Sequence, residues 1–258
     1  MSSVLDSIIN GVREDLAERK KLNPNPESEI KYATPVKNAE QALSKKDISI
    51  IAEVKRSSPS KGELAQISDP AKLAKEYENA GASVVSVLTE ERRFKGSISD
   101  FKEVRKNISI PMLRKDFIVD EYQIYESRII GADMQLLIVA ALSKDQLKDF
   151  YQLGTELGMA SLFEVHSLEE LETAMSLSPK IVGVNSRNLK TLEVNPDAFF
   201  EILPKIPESL LKVAESGISK RSEVENLEKL GANAILVGET LVRAESPSVA
   251  ISELLGSI

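Results

Sequence analysis

From residue 48 onward the chain repeats one pattern eight times: a short run of β-branched and apolar residues, then a longer amphipathic stretch. The runs are ISIIAEVK (48–55), SVVSVLTE (83–90), IPMLRKDF (110–117), MQLLIVA (134–140), ASLFEVH (160–166), IVGVNSRN (181–188), LLKVAESG (210–217) and ANAILVGE (232–239). Their starts lie roughly 21 to 35 residues apart, the spacing of strand–helix units. Most are apolar at consecutive positions, as strands covered on both faces must be, and this predicts a parallel sheet.

The intervening stretches carry helix punctuation. DPAKLAKEYENAGA offers Asp69 as N-cap, Pro70 at the first helical position and Gly81 as the stop. Gly131 and Gly231 repeat that ending, so the recurrent Gly-Ala pair reads as a helix-stop device rather than a cofactor motif. Eight such units fit an α/β fold of the (β/α)8, or TIM, barrel type in one domain over 1–258, with 48–258 as barrel and 1–47 as an N-terminal helical extension. The alternative is an open doubly wound sheet. No G-x-G-x-x-G follows the first strand and no G-x-x-x-x-G-K-[ST] occurs anywhere, which weakens that alternative.

Before the repeats, residues 4–16 place Val4, Leu5, Ile8, Ile9, Val12 and Leu16 at helical spacing behind a Ser3-x-x-Asp6 capping box. LNPNPESEIKYATPVKN reads as a connecting segment. Gly11 and the acids break any signal-peptide core, and no apolar run reaches membrane-spanning length, so a cytoplasmic location is expected. The balance of 33 Lys and Arg against 40 Asp and Glu argues against nucleic acid and anionic membranes as partners. An anionic small molecule is still compatible, because a few lysines in a cleft outweigh a diffuse negative surface. With no cysteine, disulfides, thiolate metal sites and thiol nucleophiles are excluded.

In a (β/α)8 barrel, chemistry sits at the C-terminal ends of the strands. Here those ends carry Glu53 and Lys55, Lys115 and Asp116, Glu164 and His166, Asn185 and Arg187, Glu215 and Ser216, Gly238 and Glu239. Polar residues are expected wherever a strand meets solvent, but side-chain alternation is more specific. Glu53 and Lys55 share a face; Lys115, Glu164 and Glu215 stand two residues beyond Leu113, Leu162 and Val213. Charges converging on one barrel mouth require a polar ligand or one another. Ser216, Gly217, Gly238 and Glu239, after the seventh and eighth strands, form a candidate phosphate cradle. His166, the single histidine, is read as dispensable for catalysis, since Lys and Glu pairs can carry proton transfer. No cluster at metal-ligand spacing is evident.

The segments IIAEVKRSSPSKG, LTEERRFKGS, LRKDFI, LFEVH, VGVNSRNLKT and VAESGI, in this order over residues 48 to 243, closely resemble the indole-3-glycerol phosphate synthases of tryptophan biosynthesis. The resemblance implies a cofactor-free lyase converting 1-(2-carboxyphenylamino)-1-deoxyribulose 5-phosphate to indole-3-glycerol phosphate, carbon dioxide and water; a monomer is expected. By motif, it implies Lys115 as the general acid for ring closure and Glu164 as the base for dehydration. Lys55 would bind the anionic substrate and serve the loss of water; Glu53 would orient the lysines. Asn185 and Glu215 would hold the reacting centre and sugar hydroxyls, and Arg187 the carboxylate at the rim. Ser58, Ser216, Gly217, Gly238 and Glu239 would define the substrate and phosphate pocket, with Phe94 as an apolar wall. Ser186, Thr240 and Val242 depart from the residues frequent in relatives. An isomerase acting one step earlier on a phosphosugar would be expected to use Cys or His with Asp. A non-catalytic barrel would be expected to lose its charged strand ends.

Overall fold

The computed structural model describes residues 3–257. Eight parallel strands close into a barrel: β1 (Ser49–Val54), β2 (Val84–Leu88), β3 (Met112–Lys115), β4 (Met134–Ile138), β5 (Ala160–Val165), β6 (Ile181–Asn185), β7 (Leu211–Glu215) and β8 (Ala234–Val237), with β8 pairing back onto β1. Each strand is shorter than its apolar run, yet the ladders of β1, β3, β5 and β7 still take in Glu53, Lys115, Glu164 and Glu215.

Alternation separates two cores. Outward residues such as Ile50, Val87, Phe163, Val184 and Ile235 pack in one buried cluster with helix residues such as Tyr77, Phe101 and Leu147. Inward residues, among them Ile51, Leu113, Leu162 and Val213, form the second cluster inside the barrel. Helices α3 (Pro70–Asn79), α4 (Ile98–Asn107), α5 (Glu121–Ile129), α6 (Lys144–Glu156) and α7 (Leu168–Met175) begin where their caps dictate. α3 starts at Asp69, whose carboxylate accepts Lys72 N–H at 2.8 Å, and Gly81 (φ +101°) turns the chain back toward β2.

The N-terminal extension closes both ends of the barrel. α1 (Val4–Leu22) has the expected capping box at Ser3 and Asp6, and its Leu5, Ile8, Ile9 and Val12 join the interior cluster. Salt bridges Arg92–Asp15 (2.7 Å), Arg19–Glu126 (3.0 Å) and Lys20–Asp120 (2.7 Å) hold it over the C-terminal face. The segment expected to be only a connection contains a 3-10 helix (Pro26–Tyr32) and ends at Asn38, which caps the short helix α2 (Ala39–Leu43) that follows it. α2 lies at the opposite face: Ser49 Oγ donates to Ala42 O, and the neighbouring Lys45 Nζ donates to Ser83 Oγ, both at strand starts. Ala39 and Leu43 plug that end with apolar surface. Five residues cannot sustain a helix alone, so its formation depends on that burial.

Candidate active site

Inward positions of alternate strands form layers in such a barrel. On β1, β3, β5 and β7 the lower inward residues are Ile51, Leu113, Leu162 and Val213; the next inward residues are Glu53, Lys115, Glu164 and Glu215. A layer that could have been hydrocarbon is thus three carboxyl groups and an ammonium. Glu53, Glu164 and Glu215 are each no more than 2% exposed.

The charges are arranged as pairs. Lys115 Nζ lies 2.9 Å from Glu164 Oε2 and 3.7 Å from Glu215 Oε2. Lys55, just beyond β1, lies 2.6 Å from Glu53 Oε1, and Ser86 Oγ donates to Glu53 Oε2 at 3.3 Å. Burial opposes the charge on Lys115, but Glu164, Glu215 and Glu53 outweigh it and hold the ammonium firmly protonated. Burial likewise opposes ionisation of Glu164, yet Lys115 and His166 overcome it and keep this carboxyl far below the ordinary range. Glu215 goes the other way: burial and then the charge of Glu164 push it up to about 8. Neither of its carboxyl oxygens has a hydrogen-bond partner. Two neighbouring carboxyl groups therefore divide into one anion and one neutral acid at pH 7.

Lys115 is aimed inward by what lies behind it. Arg114 on the outer face is completely buried and donates to Thr89 Oγ1 (3.0 Å), Ser127 Oγ (3.1 Å), Asp116 Oδ2 (2.9 Å) and Glu126 Oε2 (2.8 Å). This saturated network ties the end of β3 to β2 and to α5 (Glu121–Ile129).

All the site residues predicted from sequence line one cavity of about 580 Å³. Phe94 stacks toward Phe117 at 5.9 Å between ring centroids, and its loop is shaped by Glu90, whose carboxylate accepts the Arg92, Arg93 and Phe94 N–H groups. Asn185 Oδ1 accepts Arg187 N–H at 2.9 Å, and the Arg187 guanidinium donates to Ser60 Oγ (3.0 Å) and Leu192 O (3.1 Å), joining the loops after β6 and β1. Ser58 sits in a small hairpin after β1. Across the mouth, Ser216 (φ +70°) and Gly217 (φ +72°) turn the chain sharply after β7. For Ser216 that backbone costs about 1–3 kcal/mol, a strain that tends to collect at functional turns. Ser186 Oγ donates to Ser216 O (3.1 Å), and Thr240 Oγ1 to Ile218 O (2.7 Å), so two of the departures noted above brace these turns. Glu239 contributes an acid here, but it faces Lys61 at 3.7 Å and Arg243 at 3.6 Å. Among the described residues no three His, Asp or Glu side chains form a metal-ligating group.

Two contributors were missed from sequence. Ile8 of α1 lines the cavity, a contact that strand-end reasoning cannot see. Gly183 is the inward residue of β6, where an added Cβ would stand 2.1 Å from Glu215 Oε1; at Gly238 it would stand 2.7 Å from Glu53 Oε1. A glycine inside an apolar strand is the signal that was available for Gly183. Gly183→Ala is expected to displace the Glu215 carboxyl, lowering kcat about 100-fold. The same clash should destabilise the fold by about 1–3 kcal/mol, read from the urea midpoint.

The family model for indole-3-glycerol phosphate synthase matches residues 5–254. The chain belongs to the indole-3-glycerol phosphate synthase family. It is 50% identical over 255 residues to the indole-3-glycerol phosphate synthase of Saccharopolyspora erythraea, covering 98% of this chain and 95% of that one. It is 48% identical over 262 residues to that of Kineococcus radiotolerans, covering 99% and 96%. Membership makes it a carboxy-lyase of tryptophan biosynthesis. Among solved structures, a 3-hexulose-6-phosphate synthase superposes with a TM-score of 0.63 at 14% identity, covering 82% of this chain and 100% of that one. A chain of the Pyrococcus furiosus tryptophan synthase complex superposes at 0.62 and 19%, covering 81% and 98%. At such identities these two speak for the barrel alone. No helix among the described residues is long and apolar enough to cross a membrane.

Proposed function

We propose that this indole-3-glycerol phosphate synthase family member closes the ring of 1-(2-carboxyphenylamino)-1-deoxyribulose 5-phosphate with Lys115 as acid and Glu164 as base. The observation that carries this reading is the 2.9 Å pair of Lys115 and Glu164 within the buried charged layer. The sugar phosphate lies against the turns at Ser216–Gly217 and Gly238–Glu239, and the aromatic ring against Phe94. Lys55 and Arg187 supply positive charge for the substrate carboxylate.

The protons balance in this arrangement. The ring carbon bearing the carboxylate attacks the ribulose carbonyl carbon, and Lys115 donates a proton to the carbonyl oxygen, leaving a neutral amine. Loss of carbon dioxide restores the aromatic ring. Lys55 then protonates the departing hydroxyl, which leaves as water, while Glu164 removes the proton from the carbon between nitrogen and the reacting centre. Glu164 returns that proton to Lys115 across 2.9 Å. The reaction consumes one proton net, because a carboxylate leaves as neutral carbon dioxide. Lys55, its side chain 19% exposed, is the group that takes it from water. Asn185 and neutral Glu215 hold sugar hydroxyls.

Incubation with this substrate should release carbon dioxide and generate indole fluorescence in equal amounts. The chain contains no Trp, so no tryptophan emission overlaps the indole signal. Absence of both products would remove the proposal.

A further inference from the structure

Behind Glu164, on the side away from the cavity, sits His166, and the reaction scheme above gives it nothing to do. Its side chain is only 9% exposed. Nδ1 lies 3.0 Å from Glu170 Oε2, and the His166 backbone N–H donates to the same oxygen at 2.7 Å. Glu170 is itself fixed: it lies in the first turn of α7 (Leu168–Met175), and its own N–H donates to the Ser167 N-cap at 3.2 Å. Nε2, at the other end of the ring, is buried without a hydrogen-bond partner and lies 3.4 Å from Glu164 Oε1. The other oxygen of the same carboxylate, Oε2, faces Lys115. The carboxylate is therefore held between a lysine on the cavity side and an imidazole on the far side.

We propose that His166 is a positioning residue for the base, an imidazolium anchored by Glu170 that fixes the Glu164 carboxylate from behind while Lys115 holds it from the front. This inference rests on the reading of Glu164 as the base. The charged groups facing the imidazole are Glu164 from β5 and Glu170 from α7; Glu164 in turn faces Lys115 from β3 and Glu215 from β7. Burial alone would favour the neutral ring, but the contacts with Glu164 and Glu170 outweigh it and push the imidazole up to about 9. A second cation on Glu164 also explains why this carboxylate, and not Glu215, keeps the negative charge. It leaves Oε2 free to exchange a proton with Lys115 without rotating away.

Because the chain has a single histidine, a tag-free protein labelled with ¹⁵N-histidine gives one imidazole titration, independent of catalysis. It should titrate near 9 in the wild-type protein and at least about one unit lower in Glu170→Gln, in line with removal of a buried charge partner. In His166→Gln, kcat should fall about 10-fold with KM within about twofold, and the acid limb of the kcat profile should move upward, because Glu164 has lost one of its two cations. An imidazole titrating at the ordinary value of about 6.5 overturns the proposal. So does a His166→Gln enzyme with unchanged kcat and acid limb. Should His166→Gln fail to fold, the Glu170→Gln titration decides alone. If the wild type has no turnover, the functional reading fails while the imidazole titration still reports whether the grip exists.

Discussion

Lys115→Ala is expected to lose about 10³-fold or more in turnover while retaining affinity for indole-3-glycerol phosphate. The lysine is the one cation of its barrel layer, and it touches both Glu164 and Glu215. Without it the carbonyl oxygen loses the ammonium proposed to protonate it as the ring carbon attacks. Breaking a buried ion pair by removing one partner commonly destabilises a protein by about 3–5 kcal/mol. Here the loss is moderated, because Glu164 released from Lys115 can take up a proton and become neutral. Product affinity should persist because the turns at Ser216–Gly217 and Gly238–Glu239, proposed to hold the phosphate, and the wall at Phe94 do not depend on Lys115. Quenching or enhancement of the indole fluorescence gives that affinity directly. Turnover within a few-fold of wild type would exclude Lys115 as the acid.

Glu164→Gln is expected to lose about 10²- to 10⁴-fold in turnover, but at a later step. Glutamine preserves the volume at a fully enclosed position, so the layer stays packed. Lys115 loses its closest carboxylate and becomes more acidic, which does not hinder its donation to the carbonyl oxygen. Ring closure and loss of carbon dioxide should therefore proceed, and the ring-closed hydroxy compound should accumulate because no base removes the final proton. In a single-turnover experiment, carbon dioxide would appear ahead of indole fluorescence. Simultaneous appearance of the two would place the base elsewhere.

Much of this site was readable in the sequence because strand alternation is a rule of period two. Once Leu113, Leu162 and Val213 are placed inside the barrel, Lys115, Glu164 and Glu215 must follow them inward. What the sequence could not supply depends on contacts between distant segments. α2 was missed because five residues carry little periodic signal and owe their helix to the barrel bottom. Ile8 reaches the cavity only because α1 is clamped over the mouth by Arg92, Glu14 and Asp15. Arg114 gave no signal beside Lys115, since its partners Thr89, Asp116, Glu126 and Ser127 become neighbours only when β2, β3 and α5 pack together. His166 was set aside because proton transfer could be written without it. The imidazole is absent from the cavity lining yet lies against the Glu164 carboxylate, a contact that strand-end reasoning does not supply.

The division of labour between Lys115 and Glu164 is tested most directly by rapid chemical quench and mass analysis of both variants after one turnover. The account predicts that Glu164→Gln accumulates a species equal to indole-3-glycerol phosphate plus one water, and that Lys115→Ala leaves only open-chain substrate. A ring-closed species accumulating in Lys115→Ala, or open-chain substrate alone in Glu164→Gln, would contradict it.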